Sequence, residues 1–188
     1  MRTRLLTCLA LCVGALAAAV AQQAAPATAP ETFSATAQIA SGAAAPIQIH
    51  LDRYSPDFDR TRVETALKTG GYLQFVPALR NAPEVGYVEL GGQKTLIRWA
   101  RDVRAEKIRT IVVVTERPVF FIGGGLANPK SRAGYEVAVI QLQVDDSGRG
   151  TGTMAAAARV KPGGPTGVQI DDYADERATL ANLTRKAN

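Results

Sequence analysis

Cysteine is confined to the first dozen residues of this 188-residue chain, at Cys8 and Cys12, and histidine occurs once, at His50. Zinc and copper favour sites rich in imidazole nitrogen and thiolate sulfur, which one histidine without cysteine cannot supply. The same scarcity removes disulfides and thiolate nucleophiles from everything downstream of Cys12. A serine triad would have to use His50, and no Gly-x-Ser-x-Gly elbow accompanies it. After position 20 no apolar run approaches the roughly 20 residues that cross a membrane as a helix.

What is present begins with an export signal. Met1-Arg2-Thr3-Arg4 is a basic n-region, Leu5 to Val20 an apolar h-region, and Ala19-Val20-Ala21 a small-x-small cleavage site. Residues 1–21 are therefore expected to be removed, and both cysteines with them. Thr7 and Leu11 precede the cysteines and both cysteines sit too early for a lipid-attachment site. Loss of Arg2 and Arg4 leaves 20 basic residues against 17 acidic ones, a net charge of +3, which is ordinary for solubility and no pointer to nucleic acid. The expected location is periplasmic or secreted, with no integral membrane span after signal removal.

Residues 22–31, interrupted by Pro26 and Pro30, read as a flexible linker, and residues 32–188 as a single β-rich domain. Apolar residues recur at every second position from Phe33 to Ile39 and again from Ile47 to Leu51, the signature of two half-buried strands around Ser41-Gly42. Ser55-Pro56-Asp57 reads as a helix start with a hydroxyl cap, Gly70-Gly71 as its end, and Tyr72 to Arg80 as a second short helix broken or restarted at Pro77. From Val85 the period returns to two, with turns at Gly91-Gly92 and Asp145 to Gly150 and an open loop from Gly123 to Gly134. Met154, Ala156, Ala158 and Val160 are expected on the inward face of one strand. The segment 175–186 fits either a short helix or a strand. Together these predict a mainly β (α+β) fold: an antiparallel sandwich or barrel of about eight strands with one helical excursion near residues 56–81.

Candidate chemistry is thin. The Gly123-Gly124-Gly125 loop has Lys130-Ser131 after it, but a phosphate loop needs glycine directly before the lysine, and Pro129 stands there. Asp145, Asp146 and Gly148 lack the alternate spacing and distal glutamate of a calcium loop and suit a hairpin turn. Asp171, Asp172, Asp175 and Glu176 crowd around Tyr173, and two of them could act as acid and base on a glycosidic bond, although neighbouring Asp171 and Asp172 point to opposite faces of a strand. Alternation places Ile97, Trp99, Arg101 and Val103 on one face; in a closed barrel that face would line the interior, where Trp99 and Arg101 could hold a ligand. The plainer reading makes Trp99 core and lets Arg101 reach out at the sheet end. No catalytic, cofactor or metal residue is expected.

The runs Arg53-Tyr54-Ser55, Val85-Gly86-Tyr87, Arg98-Trp99-Ala100-Arg101, Arg109 to Pro118, Ser147 to Gly152 and Ile170-Asp171-Asp172-Tyr173 resemble, in this order, a group of uncharacterised secreted bacterial proteins. The likeness implies a signal peptide and no assigned activity, cofactor or catalytic residue. In that group a proline often follows the Ile-Asp-Asp-Tyr-like strand, which implies a final strand; here Glu176-Arg177 stands in that neighbourhood without proline. The functional expectation is an exported, non-enzymatic domain that binds a small molecule or an envelope protein. The alternatives are an extracellular hydrolase using carboxylates near Tyr173, or an envelope folding factor. Processing is directly testable: mass spectrometry of the exported protein should give a mature chain that starts at Gln22, and an intact Met1 start would overturn the cleavage.

Overall fold

A computed structural model describes residues 30–40, 42–119, 133–174 and 177–187 of the chain. The period-two segments become strands β1 (Glu31–Gln38), β2 (Ala44–Leu51), β3 (Gly86–Leu90), β4 (Gln93–Ala105), β5 (Ile108–Thr115), β6 (Val137–Val144), β7 (Arg149–Pro162), β8 (Val168–Tyr173) and β9 (Arg177–Ala187), with helix α1 (Asp57–Arg80) between β2 and β3. Strands β1 to β7 pair antiparallel in chain order, β7 also pairs with β8 and β9, and β9 returns to β1. The result is a closed eight-strand barrel with β8 outside it. The segment 175–186 is strand where the structure describes it, and the barrel, not the sandwich, is realised.

Eight strands enclose a space that side chains can fill, and here they fill it. Phe33, Ile49, Leu51, Ile97, Ile140 and Leu180 are fully buried inward-facing members of one apolar cluster. After β5 the chain turns across one barrel end, where buried Val119 donates its amide to the carbonyl of Ala156 at 2.9 Å. On the outer wall of β1 to β4, Ser34, Gln48, Glu89 and Lys94 lie side by side in register. A polar exterior over an apolar interior is the inverse of a membrane-spanning barrel.

The opposite side of the barrel is apolar on its outside as well, because α1 covers it. Val63, Leu67, Phe75 and Leu79 of the helix pack on a second cluster that includes Trp99, Val114 and Val137. Tyr72 fastens the helix by donating its hydroxyl to Ala158 O at 3.1 Å and accepting the Glu136 amide at 2.7 Å. The helix departs from expectation at two points. Ser55 does not cap it; its Oγ accepts the Ala100 amide at 2.9 Å and its own amide donates to Ala100 O, so Pro56 takes the cap position and the hydroxyl ties the helix start to β4. The break at Gly71, where φ is 63°, falls where expected, but the following helical stretch runs through Pro77 without the break expected there. Pro77 stands six positions past Gly71, beyond the four residues whose amides lack a helical partner, so the segment forgoes the bond that an amide there would give to the carbonyl of exposed Leu73.

Three bulges decide which side chains face in. In β4, Ile97 pairs with Thr115 and Trp99 with Val114, so Arg98 is an extra residue and Trp99 turns outward, away from Ile97. In β7, Val137 pairs with Ala158 and Val139 with Ala155; Met154 and Ala156 face the interior, whereas Ala158 and Val160 join the helix-side cluster. The expectation that all four point inward is thus corrected by one inserted residue. In β9, Ser34 pairs with Thr184 and Thr36 with Ala181, so one residue of β1 faces two of β9, and Asn182 adopts φ 53°. That bulge lets Leu180 and Leu183, three apart, both point into the barrel, a spacing that imitates a helix in the sequence. Asn182→Gly is therefore expected to leave stability nearly unchanged, while Asn182→Val costs about 1–2 kcal/mol because a β-branched residue is strained at positive φ; urea denaturation followed by circular dichroism measures both.

Candidate functional site

One end of the barrel interior holds charge rather than hydrocarbon. Glu31 opens β1 on the same face as Phe33, and Arg109, second in β5, lies on the same face as Ile111, so strand parity drives an acid and a base from opposite walls into the barrel end. Arg109 grips Glu31 with two bonds of 3.1 and 3.0 Å, donates to Tyr54 Oη at 3.0 Å and reaches Asp102 Oδ2 at 3.1 and 3.2 Å. Tyr54 donates to Glu31 at 2.7 Å, and Arg185 of β9 to the other Glu31 oxygen at 3.2 Å. Two arginines balance two carboxylates. Burial raises the Glu31 carboxyl, yet the bonds from Arg109 and Tyr54 and the charges of Arg109 and Arg185 outweigh it and hold the group below the ordinary glutamate value of 4.5. Burial, and then Glu31 beside it, pushes the Tyr54 phenol far above its usual range. A phenol so raised stays protonated and a carboxylate so lowered stays charged, which suits a brace and not a proton relay.

Trp99 is wholly buried between the barrel wall and α1, outside the barrel, and its Nε1 finds no acceptor among the described residues. Arg101 shares that outer side, donating to the carbonyl of Thr166 at 2.9 Å and to Glu64 of α1 at 3.4 Å. The pairing of the two residues inside a barrel is therefore corrected: the bulge at Arg98 places both on the outer wall, where Trp99 is core under the helix and Arg101 holds a loop. His50 lies on the polar outer face, bonded to Thr32 Oγ1 at 2.9 Å and to Asp52 Oδ1 at 3.1 Å. The turn at Asp145 is closed by its own carboxylate, which accepts from Ser147 Oγ at 2.6 Å and from the Arg149 amide at 3.0 Å; it is a hairpin between β6 and β7, as expected. The Gly123-Gly124-Gly125 loop lies outside the described residues.

The loop that Arg101 holds leads to a concavity that Asp171 and Tyr173 line. Past its bulge β7 bends, and the β7–β8 hairpin folds over the outside of β5 and β6, with Val160 and Val168 packing in the same cluster as Val112 and Val139. Between this hairpin and the barrel wall lies a groove of about 400 Å³. Val112 and Val139 form its apolar floor, Thr110 and Gln141 the polar part of the same wall, and residues 164–166 with β8 the facing side. Asp171, Tyr173 and Arg177 stand at the groove. Asp171 is already matched by Lys161 at 3.2 Å and Arg159 at 3.7 Å. Arg177 lies 5.7 Å from the Tyr173 ring and has no carboxylate partner among the described residues. Of the clustered acids, only Asp171 lines the groove; Asp172 accepts the Tyr135 hydroxyl at 2.6 Å, and Asp175 and Glu176 are not among the described residues.

Trp99 and Arg101 thus support this site from behind without lining it. Thr110, Gln141 and Arg177 escaped sequence reasoning because each is an ordinary polar residue on a strand, and only the folded-back hairpin makes them neighbours. The buried pair had a local signal: Arg109 falls on the alternate positions otherwise held by Ile111 and Val113. Comparison with protein families, with curated proteins and with solved structures finds no match to this chain.

Glu31→Gln should cost about 3–5 kcal/mol at neutral pH, since it leaves Arg109 buried without its main counter-charge. A carboxyl lowered by folding stabilises above its unfolded value of 4.5 and loses that contribution as pH falls through the folded value. Acid titration of stability should therefore be steeper in the wild type than in the variant below that pH, and parallel curves would refute the assignment.

Proposed function

We propose that this chain is an exported binding module whose groove beneath β8 holds an elongated ligand ending in an anionic group. The observation that carries the reading is the composition of the groove: an apolar strip of Val112 and Val139, hydrogen-bonding side chains around it, and the Arg177 guanidinium, which has no carboxylate partner among the described residues. Sites of about this volume with an apolar lining and a few convergent polar groups are the usual form of a small-ligand site. An arginine over an aromatic ring keeps its fork of donors free for a planar anion. Export rests on the leader at residues 1–21. The packed interior supports binding on the outer wall rather than inside the barrel.

The hydrolytic alternative needs two acids facing one bond. The groove offers Asp171 alone among the described residues, and that carboxylate is neutralised by Lys161 and Arg159. No observation favours this reading over the first.

A thermal-shift screen of the mature protein against linear carboxylates with apolar chains tests the proposal. A ligand at a hundred times its dissociation constant adds about 2.7 kcal/mol, which raises Tm by roughly 5–10 °C for a chain of this size. Arg177→Ala should abolish the shift while leaving the unliganded Tm unchanged. A screen without any shift, or a shift that survives the substitution, counts against the groove.

A further inference from the structure

Strand β8 bonds to β7 along one edge, and its other edge has no strand partner among the described residues. This bare edge borders the groove. Val168, Gln169 and Ile170 line it one after another, whereas a groove over the face of a regular strand would meet alternate residues only, because successive side chains point to opposite faces; Asp171, which also lines it, is the extra residue of a bulge in β8. The opposing wall does show that alternation: β5 contributes Thr110 and Val112, and β6 contributes Val139 and Gln141. One wall of the groove is therefore the main-chain edge of β8, on which the Val168 carbonyl already accepts the Thr166 hydroxyl at 3.2 Å, and the other is the side-chain surface of a sheet.

Resting on the binding reading above, we infer that the ligand is an extended peptide segment of another protein, which adds to the free edge of β8 as a further strand. Main-chain bonds to β8 supply affinity, and the alternation of the guest strand supplies specificity, as in other cases of strand addition. Every second guest side chain rests on Val112 and Val139, so those positions are apolar; the intervening ones point to solvent. Arg177 stands at the groove without a carboxylate partner among the described residues, so the guest carries an acidic residue where it meets Arg177. Four residues of β8 span about 13 Å, which sets the bound core at about four residues. A second copy of this chain is a poorer guest, because Asp171 and Asp172 would bring carboxylates close together across an antiparallel self-pair.

Panning a random octapeptide library against the mature protein tests this, followed by binding of the enriched peptide in synthetic form and with alternate backbone amides methylated. Fluorescence anisotropy should show alternating apolar peptides with one acidic residue binding the wild type, and the form methylated on its β8-facing amides binding about tenfold more weakly, as expected when main-chain bonds are lost. Arg177→Glu should weaken the unmethylated peptide by a similar factor. Failure to enrich any peptide, or binding indifferent to methylation in both alternate patterns, overturns strand addition. If linear carboxylates still raise Tm in an Arg177-dependent way in that event, the groove stands and only its guest is wrong; if they do not, both readings fall.

Discussion

The period of two along a strand governs this molecule, together with the places where it is broken. A closed barrel admits every second residue to its interior, and one inserted residue exchanges the two faces for the rest of the strand. At Arg98 the exchange sends Trp99 outward to receive α1. In β7 it sends Ala158 and Val160 the same way, so the outer wall of β4 to β7 becomes a second apolar surface. That surface is why the chain needs a helix at all, and why the hairpin of β7 and β8 can fold back to make a groove. A barrel without these bulges would have one core and a polar outside all round.

The two apolar layers differ in what seals them. The interior is filled by aliphatic and aromatic side chains and ends in a charge-balanced cluster around Glu31 and Arg109, which links β1, β4, β5 and β9. Such a cluster gains little over hydrocarbon of the same shape but is costly to break, so it holds the register of the walls that carry it. The outer layer is sealed by α1 and is open at its margin, where Arg101 fixes Thr166 and the groove begins. Rigid support behind an open margin is the arrangement a binding surface requires, since affinity is lost whenever the site must be ordered on binding.

Much of the fold was legible in local pattern. The strand segments, the helical excursion with its interruption near Gly71, and the turn at Asp145 all follow from alternation and turn residues. What misled was the assumption of unbroken alternation. Ile97 and Trp99 share parity in the sequence and lie on opposite faces in the fold; Leu180 and Leu183 have a helical interval and lie on one face of a strand. A bulge leaves only a weak trace in one sequence, because its inserted residue can be almost anything, as Arg98 shows. Ser55, read as a cap, found a better partner in the backbone of β4 than in its own helix.

Sequence alone determined the inventory of this protein: strands of a length that closes a sheet, a basic and then apolar N-terminal stretch, and a downstream chain with one histidine and no cysteine. These are properties of neighbours along the chain, and neighbours are what a sequence displays. Tertiary structure decided which face each residue occupies and which distant residues meet. Glu31 and Arg109 stand 78 positions apart and become one bidentate pair; Thr110, Gln141 and Arg177 come to one groove from three strands. The reason is geometric. Facing and proximity depend on summed turns, bulges and register shifts along the intervening chain, and a single insertion reverses them without changing the character of any residue nearby.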